Sequence, residues 1–246
     1  MGVFFKRALV LSDFHFPFIN NFLYRNILHL IKKEQFNEII LAGDFLDCYS
    51  ISKFPSDPCR ADDLQYELDE AAIALGSIRK LSKKSKITFI RGNHCDRIEK
   101  FLNSRAKALR NLRCLNLKEL LELDKYNIHY EEHAYFLMPK LMIYHGSKTA
   151  NMSSKAELDS LGVSGISGHV HRYNYYQKRN ILGETLEWYS LGHLADITQL
   201  KYAKHFGHHW DNSFCVVEYN EDQFRVQMIR AFNNSFFYNG VKYENN

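Results

Sequence analysis

Five short segments of this 246-residue chain carry residue types that can do chemistry: Asp13-x-His15, Gly43-Asp44-x-x-Asp47, Gly92-Asn93-His94, Tyr144-His145-Gly146 and Gly168-His169-x-His171. Between them they offer carboxylates, one carboxamide and imidazoles. That donor set suits borderline divalent metals (Mn, Fe, Zn or Ni), which accept imidazole and carboxylate together. Singly, each segment has a plain structural explanation. An Asp after a strand caps a helix or makes a turn, and Gly-Asn is a common turn pair. Together they say more, because all five follow apolar runs in one order. A thiolate site is not indicated, since Cys48 and Cys95 only flank two of the segments.

The elements that must position these residues are legible as hydrophobic periodicity. Arg7–Asp13, Glu38–Asp44 and Ile87–Asn93 read as buried strands, each ending in a polar loop. Asn20–Lys33, Asp62–Ser82 and Arg97–Ala108 carry helical spacing between and after them. This alternation predicts a parallel sheet covered by helices, with ligands gathered beyond the carboxyl ends of its strands. The second half is richer in strands, at Asn127–Tyr130, Leu141–His145, Gly165–His169, Thr185–Leu191, Phe214–Tyr219 and Arg225–Phe232, with a helix at Lys155–Leu161. An α/β fold follows, one domain over residues 1–238 with two packed sheets. The Asn-rich segment Asn239–Asn246 is expected to be a frayed, flexible tail.

Composition sets the bounds. At 46% hydrophobic and 24% charged the chain is an ordinary globular one. A net charge of +4 is compatible with an anionic substrate without requiring nucleic acid. Five cysteines, with no C-x-x-C, do not make a disulfide framework. With no signal peptide and no apolar run long enough to span a bilayer, a reducing, cytoplasmic setting is expected, with no membrane partner.

As an ordered set, D-x-H, G-D-x-x-D, G-N-H, H-G and G-H-x-H resembles the calcineurin-like metallophosphoesterase superfamily, and the segments Arg172–Gly192 and His208–Phe214 look like its phage and prokaryotic members. The resemblance implies a four-layer sandwich of two mixed β-sheets flanked by helices. It implies two divalent metal ions, with Mn favoured. Asp13, His15 and His171 would hold one, Asn93, His145 and His169 the other, and Asp44 would bridge both. A bridging hydroxide would be the nucleophile at phosphorus. His94 would be the non-ligand histidine that stabilises the phosphoryl oxygen or protonates the leaving group, oriented by Asp47.

Two positions depart from the family pattern. Cys95 stands where an acidic residue usually follows Asn-His, with Asp96 next to it; Cys48 stands where the phosphatase branch has an arginine. Arg97 and Arg172 are the candidate substitutes for substrate binding. His193 reads as a loop histidine, and His205, His208 and His209 as packing or surface residues. The interleaved Tyr, Lys and Arg of Arg172–Arg179 lean towards a phosphodiester, with DNA or RNA among the candidate partners. A phosphomonoesterase acting on nucleotides or small phosphates, and an inactive member that binds nucleic acid or protein, are the alternatives.

Overall fold

The computed structural model describes residues 5–53, 63–200 and 209–244. Its first sheet has the order β11-β10-β1-β2-β3-β4. Here β1 is Lys6–Leu11, β2 Glu38–Ala42, β3 Lys86–Ile90, β4 His129–Glu131, β10 Asn212–Tyr219 and β11 Phe224–Ala231. The strands from β1 to β4 run parallel, and β10 and β11 add an antiparallel edge. The second sheet has the order β5-β6-β7-β9-β8, from Ala134–Met138, Leu141–Tyr144, Ser164–Ser167, Thr185–Ser190 and Asn174–Arg179. In it β6, β7 and β9 are parallel, with antiparallel partners at both edges.

Alternation within the strands makes the layers. Leu9 and Leu11 of β1 face the cluster formed with α1 (Asn21–Glu34) and α2 (Leu64–Leu81). Ala8 and Val10 face the other way, onto Leu141, Ile143 and Ile166 of the second sheet. Beyond that sheet, Met142 and Trp188 pack on Leu158 of α5, Ser153–Leu161. The result is helices, sheet, sheet and helix, the two-sheet α/β sandwich expected from the sequence. Glu38 clasps the two sheets at the end remote from the ligand loops. Its carboxylate accepts from Tyr135 of β5 at 2.6 Å and from Tyr219 of β10 at 2.5 Å.

Helix boundaries follow the caps. Asn20 accepts from the N–H groups of Phe22 and Leu23 to start α1, and Asp63 accepts from Tyr66 to start α2. The third helix, α3, spans Asp96–Arg105, and Lys107–Leu109 continues only as a 3-10 turn. A short fourth helix, α4 (Leu117–Leu120), follows it. The tail expectation needs correction. Val241–Glu244 forms β13 and pairs with β12, Ser235–Tyr238. The cause is packing: Tyr243 stacks on Phe236 at 4.8 Å, and Phe236, fully buried, packs on Phe22 and Phe214. Burial of such a ring stabilises by about 1.5–3 kcal/mol, and Tyr243 is its cover. Among the described residues no helix is long and apolar enough to cross a membrane.

Candidate metal centre

The loops after β1, β2, β3, β6 and β7 converge at the carboxyl ends of both sheets. Backbone hydrogen bonds continue the parallel pairing past the strands: Asp13 N–H to the Gly43 carbonyl (3.1 Å), His15 N–H to Asp44 (3.0 Å), and Gly168 N–H to His145 (2.8 Å). Asp13, His15, Asp44, His169 and His171 all have positive φ, between 45° and 73°. Such conformations cost of order 1–3 kcal/mol each and persist where the surroundings enforce them.

Three groups of donor atoms result, each with ligand atoms within 4.8 Å of one another: Asp13, His15 and His171 form the first, Asp44, His145 and His169 the second, and His15, Asp47 and His94 a third that shares His15 with the first. In the first group, His171 Nε2 lies 3.0 Å from Asp13 Oδ1 and 3.1 Å from His15 Nε2. In the second, His145 Nε2 lies 3.0 Å from Asp44 Oδ2, and Asn93 Oδ1 lies 2.9 Å from His145 Nε2 and 2.8 Å from His169 Nδ1. These separations match the edges of a coordination shell with bonds of about 2.0–2.2 Å. The donors fit the divalent cations that the sequence suggests.

The outer partners select which atom faces inward. Asp13 Oδ2 accepts from Ser12 Oγ (2.6 Å) and His169 N–H (3.0 Å), leaving Oδ1 towards His171. Asp44 Oδ1 accepts from His94 N–H at 2.8 Å, leaving Oδ2 towards His145. His145 Nδ1 donates to the Ala42 carbonyl at 3.0 Å, which keeps the lone pair on Nε2. Glycine is required where backbones approach. A Cβ on Gly92 would sit 2.2 Å from Asp44 Oδ1, and one on Gly168 2.2 Å from Asp13 Oδ2. Neither Ser12 nor the Ala42 carbonyl is named by a motif, and only the assembled fold reveals them.

Electrostatics point the same way. Asp13, Asp44 and Asp47 are all buried. Burial opposes their ionisation, but the neighbouring imidazoles outweigh it and hold all three below the usual carboxylate range. Conversely, burial disfavours the charged forms of His15 and His145, yet the carboxylates raise them to about 10 and about 9. Three buried anions thus demand positive charge at this spot, which bound dications meet more directly than imidazolium protons.

His94 and Asp47 are also brought to the site. His94 Nδ1 lies 2.9 Å from the Asp47 carbonyl and 3.0 Å from Asp47 Oδ1. Asp47 Oδ1 equally lies 2.9 Å from His15 Nδ1, a second contact that sequence reasoning missed. Arg97 joins them, with Nη1 donating to the Asp47 carbonyl (2.8 Å) and Nη2 2.9 Å from His94 Nε2. Arg172, next to His171, is directed at Asn151 and the Ala150 carbonyl, each at 3.4 Å. His193, read from sequence as a loop residue, is buried with its ring 5.5 Å from His171, and Trp210 packs on His171 at 4.2 Å. His205 and His208 lie outside the described residues, and His209 joins no donor group.

The sequence profile described as calcineurin-like phosphoesterase matches residues 6–230. The chain belongs to the calcineurin-like phosphoesterase family. The Gene 54 protein of Mycobacterium phage L5 is 21% identical over 254 residues, covering 97% of this chain and 99% of that protein. Vps29 of Chaetomium thermophilum aligns with a TM-score of 0.50 at 11% identity, covering 96% of this chain and 92% of its own. Vacuolar Protein Sorting 29 from Cryptosporidium parvum aligns with a TM-score of 0.51 at 11% identity, covering 99% and 100%. At that identity the likeness is one of fold. Against the calcineurin-like pattern, Cys95 is buried rather than ionic, and burial pushes its thiol up to about 12. Asp96 instead ties the loop, accepting from Arg91 Nε at 2.5 Å.

Proposed function

We propose that the chain is a metal-dependent phosphoester hydrolase with a dinuclear centre, acting on phosphodiesters. The observation that carries this reading is the convergence of two separate donor groups, Asp13/His15/His171 and Asp44/Asn93/His145/His169, from loops on both sheets. Bound there, a pair of divalent cations would neutralise the phosphoryl oxygens and acidify the water that attacks phosphorus. Asp44, with Oδ1 fixed by the His94 N–H, would offer Oδ2 to the cations.

His94 is the proposed proton donor. Its Nδ1 is taken up by Asp47, so Nε2 is the nitrogen presented towards the site, 3.8 Å from Asp44 Oδ2; there it accepts from Arg97 Nη2, and it would act as an acid only once protonated, with that contact given up to the substrate. A phosphoryl oxygen or a leaving alkoxide would be met at that atom. Arg97, alongside, keeps the ring from turning and adds a fixed positive charge near the phosphoryl group. The preference for a diester is supported by space. Asn93 and Arg97 open onto a cleft of about 1110 Å³ on one side of the donor groups, room for a second ester substituent.

The test is elemental analysis of the purified protein together with turnover in Mn. Bis-p-nitrophenyl phosphate is expected to be hydrolysed faster than p-nitrophenyl phosphate. The reverse ratio would assign a monoesterase. Bound metal without turnover of either would assign a binding protein.

A further inference from the structure

The cleft beside Asn93 continues along α3, away from the donor groups. Arg97, Lys100, Phe101 and Ser104 line it at a spacing of three and four residues, which puts them on one helical face. Arg105 extends that wall, and Lys53 lies on the opposite side with Ser50 and Ser52. No carboxylate lines the cleft among the described residues. Lys100 has an ion pair with Asp96 at 3.4 Å, but its side chain is 71% exposed, where such a pair contributes little. Phe101 leaves 40% of its surface exposed between these cations. The opposite wall is held in place, because Glu67 of α2 accepts from Tyr49 N–H at 2.9 Å and Ser50 N–H at 3.3 Å.

We infer that this cleft is the track for a single-stranded nucleic acid that leads one of its phosphodiesters to the donor groups. The inference rests on the phosphodiesterase reading and names its substrate class. Cations in a row match a chain of phosphates, and an exposed ring among them gives an unpaired base a surface to stack on. At about 1.5 Å per residue, Arg97 to Arg105 covers about 12 Å, longer than the backbone of one nucleotide, so the row can meet successive phosphates. The basic and aromatic strand β8, which the sequence favours for this role, fits less well. Lys178 of β8 is paired with Asp159, and Lys155 lies over the ring of Tyr176.

Binding of a fluorescein-labelled single-stranded oligothymidylate is to be followed by anisotropy, in EDTA so that no cleavage occurs. The full chain should bind it more tightly than a duplex of the same length. K100A/R105A should weaken binding by roughly tenfold or more and lower the salt slope by about 1.4, since each single-strand phosphate contact contributes about 0.7. Phe101→Ala should weaken it by roughly fivefold or more while leaving the slope unchanged. These side chains are exposed, so an unchanged melting temperature will verify folding. A chain that ignores the oligonucleotide, prefers the duplex, or binds it equally well after K100A/R105A overturns the inference. Turnover of bis-p-nitrophenyl phosphate by the unaltered chain reads the metal centre separately, so the two readings can fail independently.

Discussion

Asp47 Oδ1 lies 2.9 Å from Nδ1 of His15, the ring nitrogen remote from His171. The same oxygen is 3.0 Å from His94 Nδ1. One buried carboxylate therefore orients a proposed metal ligand and the proposed acid together. Asp47→Ala should weaken Mn binding at the Asp13/His15/His171 group by about 10–100-fold, the usual loss when a ligand's outer partner is removed. Binding at the Asn93/His145 group should be retained. Titration calorimetry would show one weakened and one unchanged site; two unchanged sites would confine Asp47 to His94.

His94 and Arg97 separate chemistry from metal binding, because neither belongs to the proposed ligand set. His94→Ala should keep its metal content while turnover of bis-p-nitrophenyl phosphate falls by two to four decades. Metal loss would instead make His94 a ligand. Arg97→Lys keeps the charge but not the planar fork that spans the Asp47 carbonyl and His94 Nε2. With the imidazole less firmly held, turnover should drop by one to two decades. Undiminished turnover would restrict Arg97 to the cleft wall.

Glu67 supplies a pH dependence away from the ligands. Burial, with Asp47 adding to it, raises its carboxyl to about 7 despite the Ser50, Cys48 and Tyr49 N–H groups. The folded chain thus keeps a proton there that the unfolded chain has already lost, so stability falls as pH rises from about 4.5 to about 7. The raised value corresponds to roughly 3 kcal/mol lost across that window, or roughly 6–12 °C in melting temperature. Glu67→Gln has no such proton to lose. Its melting temperature should decline less than that of the unaltered chain between pH 4.5 and pH 8, and parallel declines would refute the assignment.

The parts of this architecture carried by long periodic segments were readable before the fold was known. Asn20–Lys33 became α1 almost residue for residue, since its apolar spacing and its Asn20 cap agree. The proposed ligands were readable too, because each is a polar residue just past an apolar strand. The backbone at Asp13, His15, Asp44, His169 and His171 was not. Nothing in the identity of an Asp or His announces a left-handed conformation that tertiary contacts impose. Asp47 was expected to serve His94 alone, because only packing brings it to His15 as well. The β12–β13 hairpin escaped for the same reason: four-residue strands among Asn and Gly carry little local pattern, and Tyr243 is held by Phe236 rather than by its own neighbours. The α3 cleft likewise needed the fold, since Lys53 and Arg105 lie far apart in the chain and meet only across it.

Two glycines allow one substitution to be read in two ways. A Cβ on Gly168 would lie 2.0 Å from Ser12 Oγ and 2.2 Å from Asp13 Oδ2, so alanine must displace the carboxylate that faces His171. Gly162 ends α5 at φ +68° with nothing within 4 Å of an added Cβ, so alanine there meets only backbone strain. Gly162→Ala should lower stability by about 1–2 kcal/mol and leave Mn stoichiometry unchanged. Gly168→Ala should keep the far-ultraviolet circular dichroism of the folded chain yet weaken the Asp13 site by roughly tenfold or more, as loss of an orienting contact does. Calorimetric titration with Mn on both variants decides it. Equal metal affinity in the two would mean that the Asp13 carboxylate does not depend on the space at Gly168, and the proposed role of Oδ1 as a metal donor would fall with it.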